Sequence, residues 1–162
     1  MINKKGFTMI ELLVAMGLFV VVMGIASTVF IQSLRTQRSI VALMAANDNA
    51  SLSIEQMMRE IRIGSNFRTN SDQTELVFVS QRKGNIIYRW NKDEETIERN
   101  GVALTSKNVA VKYLYFDLFG AGPNDGASTR VVIRLGVSSN EKRAVDIITN
   151  LQTTVSSRQL DV

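Results

Sequence analysis

From Leu12 to Ile31 the chain carries no charged residue and is almost wholly apolar. As a helix this run of about 20 residues spans roughly 30 Å, enough to cross the hydrocarbon core of a bilayer. A helix is also the conformation that pairs every backbone N–H and C=O of such a segment internally. Lys4 and Lys5 precede the run, and Arg35 and Arg38 follow it at a greater distance. That asymmetry favours a cytoplasmic N-terminus and a single pass through the membrane. A secretory signal peptide is the competing reading, with Gly24-Ile25-Ala26 as its cleavage site. Its apolar core would be about 7–15 residues long. The run is longer, it has Glu11 at its start, and helical periodicity continues far beyond it. A plain uncleaved anchor also fits the run taken alone.

Glu11 is the costly residue. An ionised carboxylate at membrane depth costs on the order of 2.5–3.5 kcal/mol on insertion scales, so it needs a partner. Thr8-Met9-Ile10-Glu11 fits the S/T-x-x-E capping box, in which two side chains satisfy orphan N–H groups at a helix start. A cationic group from another molecule would serve equally well, and the two roles are compatible.

Lys5-Gly6-Phe7-Thr8-Met9-Ile10-Glu11-Leu12-Leu13-Val14-Ala15 closely resembles the cleavage and methylation motif of type IV prepilins and type II secretion pseudopilins. The resemblance implies a leader ending at Gly6, removed by a prepilin peptidase that cuts before Phe7 and then methylates the new Phe7 amine. Gly6 suits a protease cleft because its backbone lies extended without steric cost. Methylation leaves the amine cationic. The resemblance also implies a role for Glu11 in assembly and register, through pairing with the N-terminal amine of a neighbouring subunit. Partners would be other pilins or pseudopilins, the peptidase and an inner-membrane assembly platform. The expected location is the cytoplasmic (inner) membrane, with a periplasmic or extracytoplasmic C-terminal domain and assembly into a filament.

The helix is expected to continue beyond the membrane. No proline occurs before Pro123. Leu43, Ala46, Ala50, Ile54, Met57 and Ile61 recur at three- and four-residue spacing, one face of a helix. Glu55 stands four residues before Arg59, a supportive pair on the outer side. Gly64-Ser65-Asn66 reads as the stop. A helix from Thr8 to Ile63 would be about 84 Å long, so its first half is expected to project. Gly17 and Gly24 are either close-packing points or places where the helix stretches.

From Thr74 the pattern becomes that of strands: Leu76–Val79, Ile86–Trp90, Thr96–Arg99, Val102–Leu104, Asn108–Phe119, Arg130–Val137 and Arg143–Thr149. Asn100-Gly101 is a strong hairpin signal. The fold class is therefore α+β, a long N-terminal helix whose second half packs on an antiparallel sheet. The expected division is leader 1–6, transmembrane half 7–31, amphipathic half 32–65 and sheet domain 66–162. The strand pattern resembles J-class minor pseudopilins and the corresponding minor type IV pilins, which implies a low-abundance subunit that primes assembly at the filament tip. The absence of cysteine and of a long variable C-terminal region favours a minor over a major subunit.

Other chemistry is largely excluded. There is no histidine and no cysteine, which removes Ser-His-Asp and Cys-His catalysis and most zinc ligands. No enzyme and no cofactor are expected. Asp117, Asn124 and Asp125 offer oxygen ligands of the kind calcium uses, without EF-hand spacing, and stand as weak metal candidates beside a plain Pro-Asn-Asp-Gly loop. Asp93-Glu94-Glu95 with Glu98 reads as a solvated turn. Tyr88, Trp90, Tyr113 and Tyr115 read as core, with Arg89 in solvent. The net charge of +4 falls to +2 once Lys4 and Lys5 are removed, so nucleic acid is not an expected main partner. The alternative function is a DNA-binding tip subunit of a competence (DNA-uptake) pilus, which requires a basic patch on the folded domain.

Overall fold

The computed structural model describes residues 6–80, 82–122, 128–140 and 147–160, with side chains through 158. One helix, α1 (Met9–Arg62), is followed by β1 (Gly64–Thr69), β2 (Glu75–Ser80), β3 (Gly84–Asn91), β4 (Thr96–Arg99), β5 (Val102–Ala103), β6 (Val109–Phe119), β7 (Ser128–Ser139) and β8 (Thr149–Leu160). The chain divides into two compact units, residues 1–39 and 40–162.

The first unit is the N-terminal portion of α1. Its apolar side chains face outward: Leu12 is 57% exposed, Phe19 62% and Ile31 50%. The helix is long and apolar enough to cross a membrane, and its most apolar stretch has no burial at all.

The second unit holds the rest of α1 and two antiparallel sheets. Strands β1 to β5 form one sheet in sequence order, and β6-β7-β8 form the other. Ala46, Ala50, Ile54, Met57 and Ile61 are buried in one core with residues of both sheets, including Phe78, Tyr88, Leu114, Phe116 and Leu135. The expected helical stripe therefore faces the core, with Leu43 half-buried at its edge. The Glu55–Arg59 pair forms at 3.2 Å in solvent. Backbone bonds from Val111 N–H to Glu95 O and from Phe116 N–H to Gln73 O, both 2.7 Å, stitch the sheets together. Asn100 (φ 51°) and Gly101 (φ 81°) both take positive φ, the requirement of the tight β4–β5 hairpin.

The helix ends at Arg62, at the expected stop, and Gly64 opens β1. A Cβ there would lie 2.5 Å from the Phe78 ring, so glycine is needed for close approach. The strand β1 itself is absent from the sequence reading, because Phe67 is its only large apolar residue. The last strand is Thr149–Leu160, twelve residues long. Of the expected Arg143–Thr149, residues 143–146 lie outside the described residues and Ile147 and Ile148 precede the strand. The inward positions of β8 include Thr153 and Ser157, which bond Met58 Sδ and Gly64 O, so its alternation is hidden behind small polar residues.

Candidate functional site

The start of α1 has the geometry that Thr8-Met9-Ile10-Glu11 anticipates. Thr8 N–H donates to Glu11 Oε2 at 2.9 Å. Glu11 N–H donates to Thr8 Oγ1 at 3.3 Å, and the Thr8 hydroxyl also donates to Oε2 at 3.0 Å. Thr8 is thus the N-cap and Glu11 the third residue of the helix, the two reciprocal bonds of a capping box. Both side-chain bonds fall on Oε2, and Oε1 accepts none among the described residues. An exposed carboxylate oxygen is therefore left at the top of an uninterrupted apolar helix, one turn from Phe7. Phe7 is 88% exposed, and Gly6 has no heavy atom outside its chain neighbours within 4 Å of where a Cβ would stand. Gly6, Phe7, Glu11, Leu12 and Ile31 all lie in the unit 1–39 and on its exposed surface.

A second charged group, absent from the sequence reading, lies inside the unit 40–162. Glu60 is 8% exposed. Its carboxylate accepts bonds from Tyr88 Oη at 2.8 Å, Lys83 Nζ at 2.8 Å, and Arg99 Nε and Nη2 at 3.0 and 3.1 Å. Burial alone would raise this carboxyl, but the bonds from Arg99, Lys83 and Tyr88 together outweigh it and hold it below its ordinary value. Burial, and then the Glu60 carboxylate, push the Tyr88 hydroxyl well up. The group ties α1 to β3 and β4. A charged residue three positions after Met57, beside the apolar stripe, was its only sequence signal; its partners come from 23 to 39 residues away.

The remaining candidates have structural partners. Asp117 receives Arg134 in a two-pronged ion pair, Nε–Oδ2 2.9 Å and Nη2–Oδ1 3.0 Å. Asn124 and Asp125 lie outside the described residues. Among the described residues no cluster of three or more acidic side chains forms a metal-sized group. Asn91 Oδ1 accepts the N–H groups of Asp93 and Glu94, a turn held by its own asparagine. Glu95 pairs with Lys112, and Glu98 with Arg89.

Of the aromatic residues, Tyr88 is wholly buried, and Trp90 is half-buried with its Nε1–H on Val111 O at 3.0 Å. Tyr113 and Tyr115 depart from the core reading. On β6 it is Leu114 and Phe116 that face the core, so the tyrosines, at the odd positions, lie half-buried on the outer face.

Comparison with curated proteins and with solved structures yields no match. Residues 1–27 match the family model of the prokaryotic N-terminal methylation motif, and this match supports a type IV pilin or pseudopilin.

Proposed function

We propose that the chain is a minor subunit of a type IV pilus or type II secretion pseudopilus, made as a precursor and assembled through α1. The peptidase cuts between Gly6 and Phe7 and methylates the Phe7 amine. Leu12–Ile31 then holds the subunit in the cytoplasmic membrane, with the sheet-bearing unit on the far side. On assembly Glu11 meets the cationic N-terminal amine of a neighbouring protomer. This neutralises both groups in a low-dielectric setting, where an unpaired charge is expensive.

The observation that carries this reading is the state of Glu11. Its carboxylate is oriented by the Thr8 cap through one oxygen, while the other accepts no bond among the described residues and suits a donor from a neighbouring protomer. The chemistry is that of a structural subunit. Pairing supplies register, and the exposed apolar helix supplies lateral contact with neighbouring helices.

The minor, tip-located role is tested by copy number and position. Deleting the gene should sharply reduce filament number, and labelled protein should sit at filament ends at a few copies each. Label spread evenly along the filament would overturn the minor assignment.

A further inference from the structure

The two sheets leave one long backbone edge uncovered. β8 pairs with β7 through every residue from Thr149 to Ser156, without a register shift. On its other side it has no strand neighbour in its sheet. A strand turns its N–H and C=O groups to alternate sides, so every second residue of this stretch points a donor and an acceptor away from β7. Among the described residues no backbone bond reaches them. The remaining edges are closed, short or interrupted. On β6 the Val111 and Phe116 N–H groups donate to the Glu95 and Gln73 carbonyls of the other sheet's turns. β5 is two residues long. β1 is irregular between Ser65 and Arg68, with Asn66 at φ 55°. Exposed edges are ordinarily guarded by proline, charge, bulges or brevity. The stretch 149–156 has no proline and no charged residue, and its pairing is unbroken.

The groups on an edge select its ligand. Donors and acceptors set out at the strand repeat are satisfied together by another extended backbone, so the ligand is a polypeptide strand. The side chains of β8 narrow it further. Leu151, Thr153 and Val155 point to the core side, where the Thr153 hydroxyl donates to Met58 Sδ of α1 at 3.4 Å. Asn150, Gln152, Thr154 and Ser156 alternate with them on the outer face, exposed and uncharged. Cross-strand neighbours of matching character are aliphatic inside and hydroxyl or amide outside. A second copy of β8 has that alternation, but pairing it antiparallel needs a two-fold axis normal to the sheet. That axis reverses the α1 segment lying on the sheet in one copy relative to the other, whereas subunits entering a filament from one membrane enter in the same sense.

We infer that the open edge of β8, from Thr149 to Ser156, is a docking site for an extended, uncharged segment of a different subunit, added as a fourth strand to β6-β7-β8. The segment alternates aliphatic residues with serine, threonine, asparagine or glutamine. Main-chain bonds hold it, and the alternation fixes its register. A neighbouring subunit as the donor rests on the assembly role proposed above; the open edge stands without it.

The edge is tested on the full chain in zwitterionic micelles by amide hydrogen exchange. Alternate amides between residues 149 and 156 should exchange freely, and the others should be protected. A free peptide with the sequence of residues 149–157, used as a probe because it has the required alternation, should slow the free set at least about tenfold. The same peptide N-methylated at two adjacent central residues, which blocks both of its edges, should bind at least about tenfold more weakly. The donor is tested in the native membrane with a short diazirine side chain placed in turn at positions 152, 154 and 156. Cross-links should fall on one segment of a second processed subunit and advance two residues at each step. Full protection of all these amides in the chain alone would overturn the inference, as would equal binding of the N-methylated peptide. So would cross-links to a second copy, to residues 141–146 or 161–162 of the same chain, or to scattered positions. Peptide binding by a chain never cut at Phe7 would overturn the assembly reading and the donor with it. No peptide binding by a correctly cut chain would overturn the docking edge alone.

Discussion

Residues 12–31 and residues 46–61 belong to the same helix and are comparably helical, yet they treat apolar side chains in opposite ways. In the first stretch Leu12, Phe19, Met23 and Ile31 are half or more exposed. In the second Ala46, Ala50, Met57 and Ile61 are fully buried against strands of the same chain. The difference lies in distribution. Apolar residues all round a helix call for an apolar solvent or other helices, whereas a single stripe calls for one surface to lie on. The acids follow suit: one Glu11 oxygen has no partner among the described residues, while Glu60 has both oxygens engaged by Tyr88, Lys83 and Arg99. On the proposed assembly role the first region is completed by other molecules, whereas the second is completed by its own fold.

The sharpest way to break this contrast is to remove each acid in turn. Glu11→Val should leave membrane insertion and domain stability unchanged and cut filament yield by about tenfold or more, an effect of at least ~1.4 kcal/mol on association. Thr8→Ala separates the two roles of Glu11. It removes the cap, worth about 1 kcal/mol at the helix end, and should reduce assembly far less than Glu11→Val. Equal losses, read by quantitative electron microscopy of sheared filaments, would reduce Glu11 to a helix cap.

Glu60→Ala should have the converse profile. It strands Arg99, Lys83 and the Tyr88 hydroxyl at a half-enclosed site, and should destabilise the folded domain by about 2–4 kcal/mol in denaturant melts. The pH dependence has a definite sign. Because the folded carboxyl titrates below its ordinary value of 4.5, its contribution is present above that pH and is lost as pH falls through the lower, folded value. Glu60→Gln should remove this share of the acid sensitivity. An unchanged acid transition would show that the bonds to Glu60 do not favour its ionised form.

Gly136→Ala is expected to have a smaller effect. The new methyl must displace the Tyr113 ring and its bond to Asn150, at about 1–3 kcal/mol. Adding Tyr113→Ala to it should recover part of the loss, which a double-mutant cycle would register. Smallest of all is Glu55→Ala on the exposed side of α1, where the pair with Arg59 is solvated on both sides. Its cost should stay within about 0.5 kcal/mol.

What the sequence made legible was local. The capping box is contained within four residues, and its bonds appear as the S/T-x-x-E spacing requires. The stripe from Ala46 to Ile61 and the Asn100-Gly101 hairpin are likewise short-range codes. What it concealed was long-range or disguised. Glu60 draws on Lys83, Tyr88 and Arg99, which only the folded sheet gathers. Strand β8 hides its inward side behind Thr153 and Ser157, which satisfy their hydroxyls on Met58 and Gly64. Tyr113 and Tyr115 looked like core because aromatic residues usually are, but parity along β6 gives the core to Leu114 and Phe116. Gly136, the residue that makes room for Tyr113, is 23 positions further on and carries no signal of its own.

The proposed assembly requires Phe7 to become a cationic N-terminus able to meet Glu11 of another protomer. Intact-mass and N-terminal peptide mass spectrometry of the protein extracted from its native membrane tests it directly. The account predicts a chain that begins at Phe7 and carries one additional methyl group on its amine. A chain that retains Met1–Gly6 after assembly, or one that begins at any other residue, would contradict it.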